Sequence, residues 1–333
     1  MTKKAQITKN QHKVPSFYLQ GFADGANNVK SLDLSTGRIL KPRHYRSVGY
    51  ERFFYAVKTG VPDEISQAFE QWFGSLENQI AERMPDIISN AYAGTLRNSQ
   101  FDTLAYLIAL QWMRTDAFRN MVNRLGESMY KGVLQVSSGF PSFSDHIREI
   151  AAEEGRDVTD EEIAQHRTFF QQGNYRLEFD NSMHLKFIGP TQLEGFHNML
   201  LAQQWTVVRV KRDHRFITSD NPVAVALPKA QGMFGRSFME RTHCLPLTPE
   251  LLIETSEPNP WPEPDQINPE KMASYRTVVD DSEVLAYNVL NVRRAHRFVY
   301  ARARRDLHPQ VPGLSGCRRA ARRGVQLRRA RRE

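Results

Sequence analysis

A chain of 333 residues, 40% hydrophobic and 25% charged, is long enough to bury a large core and has an ordinary globular composition, which excludes collagen-like repeats, a coiled coil and wholesale disorder. The formal charge of +8 is unevenly placed: residues 302–333 hold eleven arginines against Asp306 and Glu333. Residues 1–301 are therefore near neutral, at about −1, and any nucleic-acid reading of the total charge rests on the terminal arm. Cys244 and Cys317 alone make neither a disulfide framework nor a zinc knuckle. Together with the polar start Met1-Thr2-Lys3-Lys4 and the absence of long apolar runs, they point to a cytoplasmic protein with no membrane partner.

Along the chain, residues 1–11 read as a loose lead-in, and Pro15 suits the first turn of a short helix with Phe17, Tyr18, Leu19 and Phe22 on its apolar side. Segments 29–34 and 38–41 flank Ser35-Thr36-Gly37 and predict a β-hairpin with glycine at the bend. From Pro62 the spacing of Ile65, Phe69, Trp72, Phe73, Leu76, Ile80 and Met84 predicts an amphipathic helix, with Glu64, Glu70, Glu77 and Arg83 on its other side. A longer helix is expected from Phe101 to about Leu134, capped at Asn98 or Ser99, with Leu104, Leu107, Ile108, Trp112 and Leu125 in the core. Thr159-Asp160-Glu161-Glu162 is a capping box and places a helix at 160–172. Another helix is expected at 190–203.

The period then changes to two. Segments 205–210, 215–218 and 223–227, with 251–255, predict a small antiparallel sheet, and five prolines in 257–269 an extended connection. A helix at 282–295 and a strand at 298–300 complete the expected body. The predicted class is α+β: one helix-rich domain over 1–301 and a disordered Arg-rich tail over 302–333. Two readings of the tail compete, a phosphate-binding arm and a segment that buries nothing, and the lack of aromatic residues and of an amphipathic stripe favours the second.

Phosphate loops, dinucleotide fingerprints, nucleophile elbows and His-Glu-x-x-His are all absent. Lys58-Thr59-Gly60, Ser128-Met129-Tyr130-Lys131 and Ser219-Asp220-Asn221 match the three short strings of serine β-lactamases, but in the wrong order. Ser219-Asp220-Asn221-Pro222 has a sufficient local explanation as a turn, and a functional one in which Asp220 offers a carboxylate at a strand end. His12-Lys13-Val14-Pro15 with Tyr18, Leu19 and Phe22, then Tyr50-Glu51-Arg52-Phe53-Phe54, then Phe216 to Pro222, then Leu245-Pro246-Leu247-Thr248-Pro249 follow one another in the order of a motif series. The series resembles an uncharacterised bacterial family, domain of unknown function 4238, over about 12–300. The resemblance implies no reaction.

The polar residues hardest to explain as plain surface are His12, Glu51, Glu70, Glu77, Gln111, Arg114 and Asp220. Glu70 and Glu77 share one helix face and Gln111 and Arg114 another. If those faces converge on the strand end, Glu51, Glu70 and Asp220 could hold Mg or Mn, with Glu51 or Asp220 as base, His12 transferring a proton and Arg114 clamping phosphate. The resulting expectation is a metal-dependent nuclease or phosphohydrolase acting on nucleic acid or nucleotide. The competing expectation is a non-enzymatic binding or effector protein, for example in conflict between bacteria and phage, with each charged residue tied to a local partner.

Overall fold

The structure is a computed structural model describing residues 8–58, 65–66, 68–179, 181–211, 215–226, 242–256, 273–278 and 280–307. It has the expected α+β class. The proline-rich segment 257–269 lies outside the described residues, as do the tail beyond Leu307, Glu64 and residues 212–214. The described residues fall into two compact units, one formed by those of 8–118 with those of 188–307 and the other by those of 119–187.

In the first unit, β1 (Asn10–His12) pairs antiparallel with a later strand, so the lead-in ends earlier than the sequence predicts, and Gln11 is fully buried. After it come α1 (Ser16–Gln20), β2 (Asn28–Asp33), β3 (Arg38–Ile39), β4 (Arg43–His44) and β5 (Tyr50–Arg52), the partner of β1. The predicted hairpin is β2–β3, closed by Gly37, whose φ of 66° glycine adopts without steric cost and whose N–H donates to Asp33 O at 2.7 Å. A short ribbon of β6 (Val57–Lys58) and β7 (Ile65–Ser66) precedes α2 (Ala68–Ala93). That helix keeps the predicted stripe at Phe73, Ile80 and Met84, continues it to Ile87 and Ala91, and tolerates Pro85 in its interior.

The long helix expected from Phe101 is two helices. α3 (Asn98–Met113) starts on Arg97, whose backbone N–H donates to the Gln100 side chain, and α4 begins at Asp116 after a break at Arg114-Thr115. The sequence pattern runs through this break because both sides are apolar at helical spacing. The break itself is held by the buried side chains of Arg114 and Asp116, a long-range matter that periodicity cannot report.

After α8 (Pro190–Leu201) the unit builds a mixed sheet from β8 (Gln204–Val210), β10 (Ala224–Ala226), β11 (Thr242–Thr248), β12 (Leu251–Ser256) and β13 (Ala273–Val278). Its order is β10-β11-β12-β8-β13, antiparallel except for β13, which runs parallel to β8. Residues 215–218 do not pair with β8 in the small antiparallel sheet that the sequence predicts. Instead β9 (Thr218–Ser219) joins β14 (Phe298–Ala301) in a second sheet with β2 and β3.

Between β13 and β14, α9 (Asp281–Arg294) serves both sheets. Val284 clusters with Val208 and Val278 of the mixed sheet and with Phe216 ahead of β9, and Val292 with Leu32 and Val299 of the second sheet and with Ile217. On the mixed sheet's β8, fully buried Trp205 packs on Phe101 of α3. Burying such strands against helices supplies roughly 25 cal/mol per Å² of apolar surface, the main stabilisation of the layer.

The body also runs past the boundary expected at 301. Arg302 donates to Glu250 and to the Gly21 carbonyl, both at 3.0 Å, and Leu307 is buried in the core of the second sheet.

The second unit contains α4 (Asp116–Ser138) beyond its first turn, α5 (Phe143–Glu153), α6 (Asp160–Gln172) and α7 (Asn181–Lys186). Thr159 Oγ1 accepts the Glu162 N–H and the Glu162 carboxylate accepts the Thr159 N–H, the reciprocal cap that the sequence predicts. Phe143, Ala151 and Ile163 are its interior, whereas Leu125, expected in the core, is 53% exposed. No helix among the described residues is long and apolar enough to cross a membrane.

Gly49 joins β5 to the preceding turn at a φ of +74°, and its carbonyl receives the N–H groups of Lys13 and Val14. A Cβ there would meet Leu19 Cδ1 at 2.8 Å. Gly49→Ala is therefore expected to lower unfolding free energy by about 1–3 kcal/mol in urea titrations, through strain and clash together.

Candidate ligand site and the motifs that frame it

Placed in three dimensions, the motif residues first explain one another. Tyr18 Oη lies 2.8 Å from Thr218 Oγ1 and donates to the Pro246 carbonyl at 2.6 Å, tying α1 to β9 and β11. Asp220 accepts from three successive backbone N–H groups, those of His296, Arg297 and Phe298, at 2.8, 2.8 and 2.9 Å. Asn221 Nδ2 donates to the Arg294 carbonyl at 2.8 Å, at the end of α9. Ser219 alone bonds its own turn, donating to the Asn221 carbonyl. Ser-Asp-Asn-Pro thus does more than turn the chain: it stitches the α9–β14 junction.

Two neighbourhoods of charge lie around His12 and Lys13. In the first, Arg114 is 1% exposed and its guanidinium is spent on the fold, donating to Tyr55 Oη at 2.8 Å, to the Glu77 carboxylate and to the His12 carbonyl. It also lies over the Phe73 ring. An arginine so enclosed is not available to clamp phosphate. Glu70 belongs here too: burial pushes its carboxyl up, while Arg114 pulls it down. Burial lowers the His12 imidazole, partly offset by Glu77, and its Nε2 has no hydrogen-bond partner. Gln111 is fully buried, and neither side-chain amide atom has a partner.

In the second neighbourhood Lys13 Nζ donates to Glu51 Oε2 at 2.9 Å and to Asp116 Oδ2. Burial penalises its charge, but the two carboxylates outweigh that and hold the ammonium above its usual range. Lys13, Glu51 and Asp220 all line one cavity of about 450 Å³. Ser31 and Tyr300 of the central β2–β14 pair contribute to its lining, with Gly49, Tyr50, Phe298 and the cations Arg43 and Arg297. The Ser31 hydroxyl is buried without a partner. Burial raises Asp220, three backbone N–H groups pull it back, and Lys13 lowers it further.

The structure therefore brings Glu51 and Asp220 to one cavity and leaves His12, Glu70 and Arg114 off its lining. Among the described residues no three His, Cys, Asp or Glu side chains gather as a metal centre would require, so Glu51, Glu70 and Asp220 do not form the expected ligand set. Lys13, Arg43, Ser31 and Arg297 are among the lining residues that sequence reasoning passed over. Only Lys13 carried a signal, its place in the His-Lys-Val-Pro motif.

The chain is an α+β protein, and nearly all of its described body falls within one family. The family model described as "Protein of unknown function (DUF4238)" matches residues 10–305, and the chain belongs to that family. Comparison with curated proteins and with solved structures found no match.

Removing one partner of a buried ion pair leaves the other charge stranded, at a cost of about 3–5 kcal/mol. Arg114→Met should show a loss of that size in chemical denaturation, and a loss under 1 kcal/mol would mean that the junction contributes little. For His12 the pH sign follows from its depressed value: the unfolded chain binds the proton more readily, so stability is present above the ordinary 6.5 and is lost as pH falls below it. His12→Gln should flatten the melting temperature against pH in that window, and an unchanged slope would remove His12 as its source.

Proposed function

We propose that the cavity at Lys13 binds a nucleotide-sized, phosphate-bearing ligand. The observation that carries this reading is the lining. Lys13 has three N–H donors, of which Glu51 and Asp116 take two; Arg43 adds a guanidinium suited to phosphate oxygens, and Arg297, which gives Nε and Nη2 to Asp33, adds its Nη1 side. The unpartnered Ser31 hydroxyl supplies a further polar contact, and Tyr50 and Phe298 supply aromatic surface for a base. A volume of about 450 Å³ suits a mononucleotide or a single flipped or terminal residue better than a duplex. This is the binding class of function, with the ligand drawn from the nucleotide partners expected from sequence.

Metal-dependent hydrolysis is the second reading, favoured by the presence of Glu51 and Asp220 on the same cavity. Those two would hold a Mg or Mn ion there, and the ion would polarise a phosphoryl oxygen. Weighing against it, the Lys13 ammonium already sits between Glu51 and Asp116, where carboxylates converge on positive charge, and Asp220 is committed to three backbone N–H groups.

Calorimetric titration with inorganic phosphate and a series of mononucleotides tests the first reading. Saturable binding is expected, weakened at least tenfold in Arg43→Ala, whose exposed side chain makes a small effect on stability the expected outcome. Absence of binding at millimolar ligand would end it. Incubation with Mg²⁺ or Mn²⁺ and DNA, RNA or nucleotides separates the second: turnover that disappears in Glu51→Gln supports hydrolysis, whereas equal turnover in Asp220→Ala removes Asp220 from it.

A further inference from the structure

A second cleft, of about 490 Å³, opens between α2, α3 and α8. Its lining is chemically unlike the first. Trp72, Leu76 and Ile80 from α2, Tyr106 from α3 and Pro190 and Leu193 from α8 make an apolar floor. Asp102, Glu194 and Arg83 form the charged part, two carboxylates against one guanidinium, and Arg83 is partly engaged by donating to Thr103 Oγ1 at 3.1 Å.

Two of these groups are held in position by a residue behind them. His197, buried on α8, lies 2.8 Å through Nε2 from Asp102 Oδ1 and 3.1 Å through Nδ1 from Asn198 Oδ1, so its ring has no spare nitrogen and cannot rotate freely. The same ring stacks on Tyr106 with centroids 3.9 Å apart and planes at 22°. The imidazole thus fixes an aromatic plane and a carboxylate at once. The Asp102 side chain remains 45% exposed. Burial first, and then the charges of Asp102 and Glu194, raise the Tyr106 phenol, and all three line the same cleft.

We propose that this cleft binds a small amine: an ammonium group held by Asp102 and Glu194 against the Tyr106 face, with its apolar body lying on Trp72, Leu76, Ile80 and Leu193. Three physical terms favour that ligand and disfavour its opposite. Carboxylates give charge-assisted hydrogen bonds to N–H donors. The faces of Trp and Tyr attract cations and repel anions. The pre-set orientation of Asp102 and Tyr106 spares the ligand the cost of ordering them. An anion, by contrast, would face two carboxylates and two aromatic faces with Arg83 as its sole charged partner. The site is distinct from the phosphate cavity: the two share no lining residue.

The full-length protein titrated with tryptamine and with phenethylamine tests this by calorimetry, with intrinsic tryptophan fluorescence as a second readout for phenethylamine. Controls are 3-phenylpropionate, which reverses the charge, and methylamine, which keeps the single positive charge without the apolar body. The expected result is one saturable site for the two aromatic amines, at least tenfold weaker binding of both controls, and at least fivefold weakening in Glu194→Gln and in Asp102→Asn. Glu194 is exposed, so its variant decides the matter even if Asp102→Asn loosens the α3–α8 contact. Equal affinity for 3-phenylpropionate, unaltered amine binding in Glu194→Gln, or no saturable binding would each overturn the assignment.

Discussion

The structure turns on the buried charges at the α3–α4 break. Arg114 closes α3 and reaches Glu77 of α2, the Tyr55 hydroxyl and the carbonyl of His12, while Asp116, two residues on, opens α4 and receives Lys13. Neither charge could be buried alone, because the loss of hydration would cost several kcal/mol per ion. Buried together with matched partners, they force the helix to break here and bind the short strand β1 against it from two directions. The break therefore fixes where His12 and Lys13 lie, and with them the position of β5 and Glu51.

A second constraint, the Asp220 carboxylate in its cradle of three N–H groups, does the same for the far wall of the cavity. Backbone N–H groups at the start of β14 have no partner in the α9–β14 turn, and an unpaired buried donor costs free energy comparable to a lost hydrogen bond. Asp220 satisfies three at once, and Asn221 takes care of the last α9 carbonyl next door. Arg297, placed by this turn, forks onto Asp33 of β2 and faces the cavity. The cavity is accordingly a by-product of two stitches that hold sheet, helix and ribbon together, and Lys13 and Asp220 in its lining are held by them.

The elements visible in the sequence are those that local rules govern: the β2–β3 hairpin at Gly37, the α2 stripe, the Thr159 capping box, α8 after Pro190 and the position of α9. Motif order likewise led to the family, and Glu51 and Asp220 were picked out as unusual and do line the cavity. What went unseen has a common cause. The 114–116 break, the transfer of β9 to the second sheet and the parallel pairing of β13 all depend on partners dozens to hundreds of residues away. Leu125 is apolar at a core-like spacing yet exposed, since periodicity shows that a face is apolar without showing what covers it.

By itself, then, the amino-acid order determined class, element types, the near-neutral body ahead of an arginine-rich end, and membership of a motif family, because each follows from composition or from interactions within a few residues. Tertiary structure alone decided which charges meet. Arg114, expected to clamp phosphate, became an interior strut, and Lys13, Arg43, Ser31 and Arg297 became the lining of a cavity. Electrostatic and hydrogen-bond partnerships depend on distance in space and on exclusion of water, and neither is written in the spacing of residues along a chain.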